Sequence, residues 1–518
     1  MHWALLRAEH GVVWVTLRVA HGVVWAILRT AHAIMWAILR AAHEIALEVS
    51  RYWVRATITF CVGALVLVMI RIPEVEQSFI GEPDREMLDT AFKLRGDVFV
   101  GAGDPILLMD IDNATIREDI EHPVLPGREP SSQASRGLVA DLLQYIMAAP
   151  PDRRPQAVMM DVDLAAPAPG DAPGAARLHK ALEAWASSPT APTLIISRES
   201  FDPEVVGLEG KIPALPASDY DDVIDQAPNI YYGEVRVLAN MEGVVTEMMP
   251  YQCVQHQGRV EPLYASALLA YATLEGGKIP PGSPAQHWLE EAGPHCKTRP
   301  DEPHKHGELI NFHLTLERHG EEQAWPDLRP DWPGFKTCGA NGDRSVFRQL
   351  SASAIQAAGP DASHDILCRR LVIIGGTNDV AADFQQTPVH DMAGAMVLAN
   401  SVRGLQLSKG GLRQAALPIQ MAVLLVISIV ITTGFTISRL ARRRYRRHRA
   451  DAKHWRHKLA LLPLNPILLN WTIAFGAHWV GVGLLIMSLD LGYWGFLSGP
   501  AFGAAMVEAI QDFTDEPD

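Results

Sequence analysis

Two pairs of aspartates stand where chemistry could be done. Asp110 and Asp112 close the apolar run Ile106-Leu107-Leu108-Met109, and Asp161 and Asp163 close Ala157-Val158-Met159-Met160. Carboxylates spaced by two after a short apolar run could ligate a cation through hard oxygens, or accept hydrogen bonds from a polar ligand. Parallel α/β sheets hold ligands at the carboxyl ends of their strands, where these residues fall. Aspartates at such positions also cap helices and satisfy loop N–H groups, so both roles stay open. A looser group, His295, Cys296, His304, His306 and His313, follows no zinc-ligand spacing and gives no metal centre. Gly375-Gly376-Thr377 follows an apolar run as a phosphate loop would, but the lysine of that signature is absent. No nucleophile stands in a convincing relation to a base. Neither enzymatic activity nor a cofactor is expected.

The elements that must position these residues alternate. Strands are predicted at Ile106–Asp110, Ala157–Asp161, Thr193–Ile196 and Leu371–Ile374, with helices at Gly137–Ala148 and Ala175–Trp185 between the first three. Strands alternating with helices imply parallel pairing through crossover connections. The fold class is therefore α/β with a largely parallel sheet. Residues 280–345, rich in Pro, Gly, His and Trp, read as an insertion or long loops.

The first fifty residues differ in kind. Trp3, Trp14, Trp25 and Trp36 recur every eleven positions, as do Arg7, Arg18, Arg29 and Arg40, and His10, His21, His32 and His43. Eleven residues over three turns keep one stripe in register on a straight or right-handed supercoiled helix. One flank of the stripe is small (Gly11, Gly22, Ala33) and the other large (Val12, Val23, Ile34, with Leu6, Leu17, Leu28 and Leu39). A small face fits a large face, which favours parallel helices packed head to tail into a ring or tube. The arginines should then face a lumen, lipid phosphates or water, because burying like charges unpaired is costly. An amphipathic helix lying on the membrane surface is the alternative. Histidines eleven apart lie roughly 16 Å apart along a helix, too far to share one metal.

The 518 residues carry a net charge of −14, which argues against nucleic-acid binding, and mean hydropathy is only +0.05. Soluble and membrane parts must therefore alternate. About four transmembrane helices are predicted, near Trp53–Met69, Leu417–Ile437, Leu459–Met487 and Leu491–Ala509. The first has no cleavage site after it and reads as a retained anchor. The basic stretch from Arg439 to Lys458, with Arg442, Arg443, Arg444, Arg446 and Arg447, marks a cytoplasmic loop. The resulting segments are the repeat helix (1–52), span one (53–72), an outer domain (73–412), span two (413–438), the basic loop (439–458), spans three and four (459–511) and an acidic tail (512–518). Both termini are then cytoplasmic. Four of five cysteines (Cys253, Cys296, Cys338, Cys368) fall in the outer domain, where two disulfides could form in three pairings; Cys61 lies in span one.

The outer domain resembles the CHASE2 family, an extracytoplasmic sensory module of bacterial membrane receptors. Its opening Asp110-Ile111-Asp112 followed by Ala114-Thr115-Ile116, Arg136 early in the next helix, and Asp161-Val162-Asp163 match that pattern. Gly233-Glu234-Val235 through Glu242-Gly243-Val244-Val245 resembles the family's central hairpin. The closing block resembles it most: Gly375-Gly376-Thr377, Asp383, Thr387-Pro388, Gly394 and Ala399-Asn400. The resemblance implies a bacterial inner-membrane protein with a periplasmic central domain. No C-terminal output domain is expected, and the repeat helix lies outside the usual family pattern. The chain is thus expected to be an oligomeric membrane protein that assembles through its repeat, with a structural role and a sensing role beside it. Its expected partners are itself and anionic lipids. A receptor signalling through a separate partner, and a pore or transporter, are the alternatives.

Overall fold

The computed structural model describes residues 52–62, 64–65, 105–116, 135–162, 171–200, 212–239, 243–300, 308–310, 347–358, 370–377, 384–388 and 391–414, with further isolated positions, chiefly between 418 and 436. The chain divides into two compact units. One comprises residues 85–416 and 482–495, the other 1–84, 417–481 and 496–518.

The larger unit opens with β1 (Ile106–Asp110), α1 (Arg136–Ala148), β2 (Ala157–Asp161), α2 (Ala172–Ser187), β3 (Thr193–Ser197), α3 (Asp221–Ile224) and β4 (Ile230–Gly233). Then come β5 (Val237–Ala239), β6 (Val245–Met248), β7 (Tyr251–His256), β8 (Arg259–Tyr264), α4 (Ser266–Leu274), α5 (Pro284–Thr298) and β9 (Glu308–Leu309). The chain returns through β10 (Phe347–Ser351), α6 (Ala352–Ala358), β11 (Leu371–Gly375), β12 (Phe384–Gln386), β13 (Asp391–Ala393), α7 (Gly394–Leu407) and the short β14 (Arg413–Gln414) and β15 (Tyr493–Trp494).

Six of these strands form one sheet in the order β10-β1-β11-β2-β3-β4. Every pairing in it is parallel. Parallel sheets are covered on both faces, so their strands read as unbroken apolar runs. Alternation then splits each strand between two cores. Leu107, Met109, Val158, Met160, Ile196 and Ile374 pack under α1, α2, α3 and α6. Ile106, Leu108, Met159, Ile195 and Ile373 pack under α4, α5 and α7. Each fully buried aliphatic side chain contributes about 1.5–3 kcal/mol.

Local chemistry fixes the helix ends. The Ser135 side chain accepts from Leu138 N at 3.0 Å, and the buried Asp171 carboxylate accepts from Arg136 N at 2.7 Å. At the other end of α1, Arg154 donates to the carbonyls of Met147 (2.6 Å) and Ala149 (2.9 Å). Trp185, fully buried on α2, donates its indole N–H to Pro192 O at 2.9 Å.

The α/β class and the predicted strands agree with this sheet. Part of the 280–345 region departs from the loops that its Pro and Gly content predicts, since residues 284–298 are helix α5. Ser283 caps it by accepting from Gln286 N at 3.3 Å, and Pro284 occupies the first turn, where its missing N–H costs nothing. Ala285, Trp288, Ala292 and Cys296 form its buried stripe. Cys296 is joined to Cys253 on β7 by a disulfide. That bond removes Cys296 from any metal-ligand set; Cys338, Cys368, His304, His306 and His313 lie outside the described residues. A second departure concerns Tyr493–Trp494, predicted as the start of a spanning helix. They form a short strand paired with Arg413–Gln414.

In the smaller unit, residues 52–62 and 64–65 are helical. Of the repeat stripe, Arg29 and His32 are helical and exposed, and its other positions lie outside the described residues. Among the described residues, no helix is long and apolar enough to cross a membrane.

The Cys253–Cys296 bridge spans 43 residues. Closing a loop of that size in the unfolded chain stabilises the fold by about 3–4 kcal/mol. Thermal melts of the Cys253→Ala/Cys296→Ala protein should show a midpoint several degrees below that of wild type. Equal midpoints would show that the bridge adds nothing to the packing of α5 on β7.

Candidate functional site

Because all six strands of the sheet run the same way, they end on one edge. Register places Ser351, Asp110, Gly375 and Asp161 side by side along it. Met160 faces Ile196 one step earlier, and Ser197 faces Gly233, so small and polar residues continue across β3 and β4. The chain leaves β1 and β2 toward the α1/α2 face, whereas it leaves β11 through β12 and β13 toward α7 on the other face. Neighbouring strands whose connections diverge are where open α/β sheets hold ligands.

Two glycines bring helices to this edge. A Cβ on Gly375 would lie 2.7 Å from the Ala395 Cβ and 3.2 Å from the Asp161 Cβ. A Cβ on Gly233 would lie 2.8 Å from Ser266 Cα. Both positions must lack a side chain for α7 and α4 to start against the strand ends.

Asp110 is 1% exposed and accepts from Thr377 N (2.9 Å), Thr377 Oγ1 (2.6 Å) and Gln349 Nε2 (2.6 Å). Burial pushes its carboxyl up to about 6, against the opposing pull of those hydrogen bonds. The residue ties β1 to β10 and to the loop after β11. Asp112 accepts from Thr115 N and Thr115 Oγ1, both at 2.7 Å, and so caps the turn at 113–116. Asp161 is half-buried beside Gly375, and Asp163 lies outside the described residues. The fold thus sets Asp110 and Asp161 on either side of β11. Among the described residues, no group of three or more His, Cys, Asp or Glu is placed to hold a metal ion.

A second polar cluster, at the ends of β3 and β4, is absent from the sequence-based candidates. Arg198 is 2% exposed, and its backbone N–H donates to Gly233 O at 2.9 Å. Its Nη1 donates to Asp221 Oδ1 at 2.8 Å, and its guanidinium lies 4.3 Å from the centre of the Tyr232 ring. Tyr232 donates its hydroxyl to the same Asp221 oxygen at 2.5 Å, while Ser218 N donates to Oδ2 at 2.9 Å. Burial alone would raise the Asp221 carboxyl. The Tyr232 and Ser218 hydrogen bonds and the Arg198 charge outweigh it and hold the group below its ordinary value. Nearby, Glu234 is 1% exposed and accepts from Ser200 Oγ (2.8 Å) and from the N–H groups of Val235 and Arg236 (3.2 Å each). Burial pushes its carboxyl up to about 7. The only trace of this cluster in the sequence is the polar run Ser197-Arg198-Glu199-Ser200 directly after an apolar strand. Gly233, read there as part of a hairpin, instead closes the parallel strand β4, and Glu234 follows it in a single bridge to Ala265. The antiparallel pair that follows is β5 with β6.

The closing-block residues build the passage from β11 to α7. Gly375 ends β11, Gly376 follows it, buried Thr387 and Pro388 follow β12, and Gly394 opens α7. Asn400 is fully buried in α7, with its Nδ2 donating to Met396 O at 3.1 Å. Asp383 lies outside the described residues.

A six-stranded parallel sheet covered on both faces, with polar groups gathered along its carboxyl edge, defines a three-layer α/β domain. The family model of the CHASE2 domain matches residues 61–435, and the chain belongs to that family. CHASE2 domains are extracytoplasmic sensory domains. No curated protein and no solved structure matches the chain.

Glu234 makes stability depend on pH. Its folded carboxyl, at about 7, holds a proton more tightly than the ordinary 4.5 of the unfolded chain. Its contribution is therefore fully present below that ordinary value and is lost as pH rises through about 7. The loss is on the order of 3 kcal/mol. Urea unfolding at several pH values should give Glu234→Gln a flatter profile than wild type across this window. Parallel profiles would place the titration elsewhere.

Proposed function

We propose that the chain is a multi-pass membrane protein whose CHASE2 domain senses a ligand outside the cytoplasm. In this reading its N-terminal repeat helix holds several copies together. The observation that carries the sensory part is the family match, which extends across the entire α/β domain.

Two features support the membrane reading. Trp53, Val54, Ile58 and Leu65 are exposed on the helical residues 52–62 and 64–65, as are Leu425 and Val426. Exposed apolar clusters of this kind mark surfaces made for lipid or protein. These two stretches are also joined, since Tyr52 Oη and Thr433 Oγ1 lie 2.9 Å apart and Tyr52 Oη donates to Ile429 O at 3.4 Å. The pairing of β14 with β15 further supports a topology in which the turn between spans three and four lies on the same side as the outer domain. Both termini and the basic loop are then cytoplasmic, with the arginines near anionic headgroups. Assembly through the repeat rests on its eleven-residue period and its mismatched small and large faces.

Topology is tested with single cysteines on intact cells. A membrane-impermeant maleimide should label Glu261→Cys in the outer domain and spare Arg447→Cys in the basic loop. The reverse pattern would overturn the reading. Assembly is tested by particle mass in mild detergent. Removal of residues 1–50 should reduce large particles to small ones, and unchanged mass would discard the repeat as the oligomerising element.

A further inference from the structure

Half of the Arg198 guanidinium is buried without a hydrogen bond among the described residues. Nη1 is engaged by Asp221, but Nε and Nη2 are buried without a hydrogen-bond partner among the described residues. These two N–H groups form one edge of the guanidinium fork. They are parallel donors and match the paired oxygens of a carboxylate or a phosphate. Leaving a buried donor unmade costs about 1–3 kcal/mol, and more when the donor is charged.

The surroundings hold this edge in place. Asp221 fixes Nη1, the Tyr232 ring lies against the guanidinium plane, and the backbone N–H is tied to Gly233 O on β4. The guanidinium cannot swing away to solvent without breaking its contacts to Asp221 and Tyr232. It also follows β3 directly, at the edge of the sheet where parallel α/β domains hold their ligands. Burial pushes the carboxyl of Glu234, the hydrogen-bond partner of Ser200, upward, which lessens the negative charge set against an incoming anion.

We propose that the Nε/Nη2 edge of Arg198 binds the oxyanion, carboxylate or phosphate, of a small ligand of the outer domain. This deepens the sensory reading, on which it rests, by naming the chemical class of the ligand.

The test uses the full chain in mild detergent. Isothermal titration and thermal melting are run with succinate, with inorganic phosphate, and with neutral succinamide. Saturable binding and a raised midpoint are expected for succinate or for phosphate, and none for succinamide. The stronger of the two anions tells a carboxylate ligand from a phosphate one. Arg198→Lys keeps the charge but loses the fork, and should weaken binding about tenfold or more. Arg198→Gln should abolish it, whereas Arg259→Gln, which removes an exposed charge on β8, should leave it intact. If Arg198→Gln fails to fold, Arg198→Lys carries the comparison. Two results would overturn the proposal: no saturable binding of either anion to folded wild type, or equal binding by Arg198→Lys. Because the titration does not depend on which side of a membrane the domain occupies, its failure is distinct from a failure of the maleimide labelling.

Discussion

A parallel sheet cannot leave either face to water, and the larger unit is organised around that constraint. The central strands are apolar on both sides, so two separate helical layers must be supplied. One layer comes from the crossovers α1, α2, α3 and α6, and the other from α4, α5 and α7. The first arises at no extra cost in topology, because every parallel crossover leaves a helix on the sheet. The second needs the chain to change faces, at Gly233 and again after Gly375. Those are the positions where a side chain would collide with an arriving helix.

The change of faces also makes the carboxyl edge a polar place. Helix starts bring unpaired N–H groups there, and strand ends bring carbonyls and short polar side chains. Two of the buried carboxylates sit at such junctions and serve as ties. Asp110 links β1 to β10 and to the turn after β11, while Glu234 gathers Ser200 and the bend into β5. Both are held at the expense of hydration, which is why both carboxyls titrate above their ordinary range. Arg198 differs from them because its charge is matched on one edge only.

The central strands were legible in the sequence for the reason they are stable, since burial on both sides leaves an unbroken apolar run. Edge strand β10 escaped because Arg348 and Gln349 interrupt its pattern. Helix α7 escaped because it is buried almost all round and so shows no polar face. Helix α5 escaped because Pro284 and Pro294 read as breakers, although the first sits in the opening turn. Of the candidate site, Asp110, Asp112 and Asp161 could be found as carboxylates ending apolar runs. Arg198 could not, because an arginine after a strand looks solvated. Its burial depends on Tyr232 and Asp221, which only the fold brings near.

The interleaving of the sheet bears on how such a domain is made. β1 is flanked on both edges by strands from the far end of the domain, and Asp110 finds Thr377 at a separation of 267 residues. At a synthesis rate of about 5–20 residues per second, the first strand emerges on the order of 15–50 seconds before its neighbours exist. Through that interval a two-edged apolar strand is open to mispairing. The domain can therefore complete its sheet only after nearly all of it has been made.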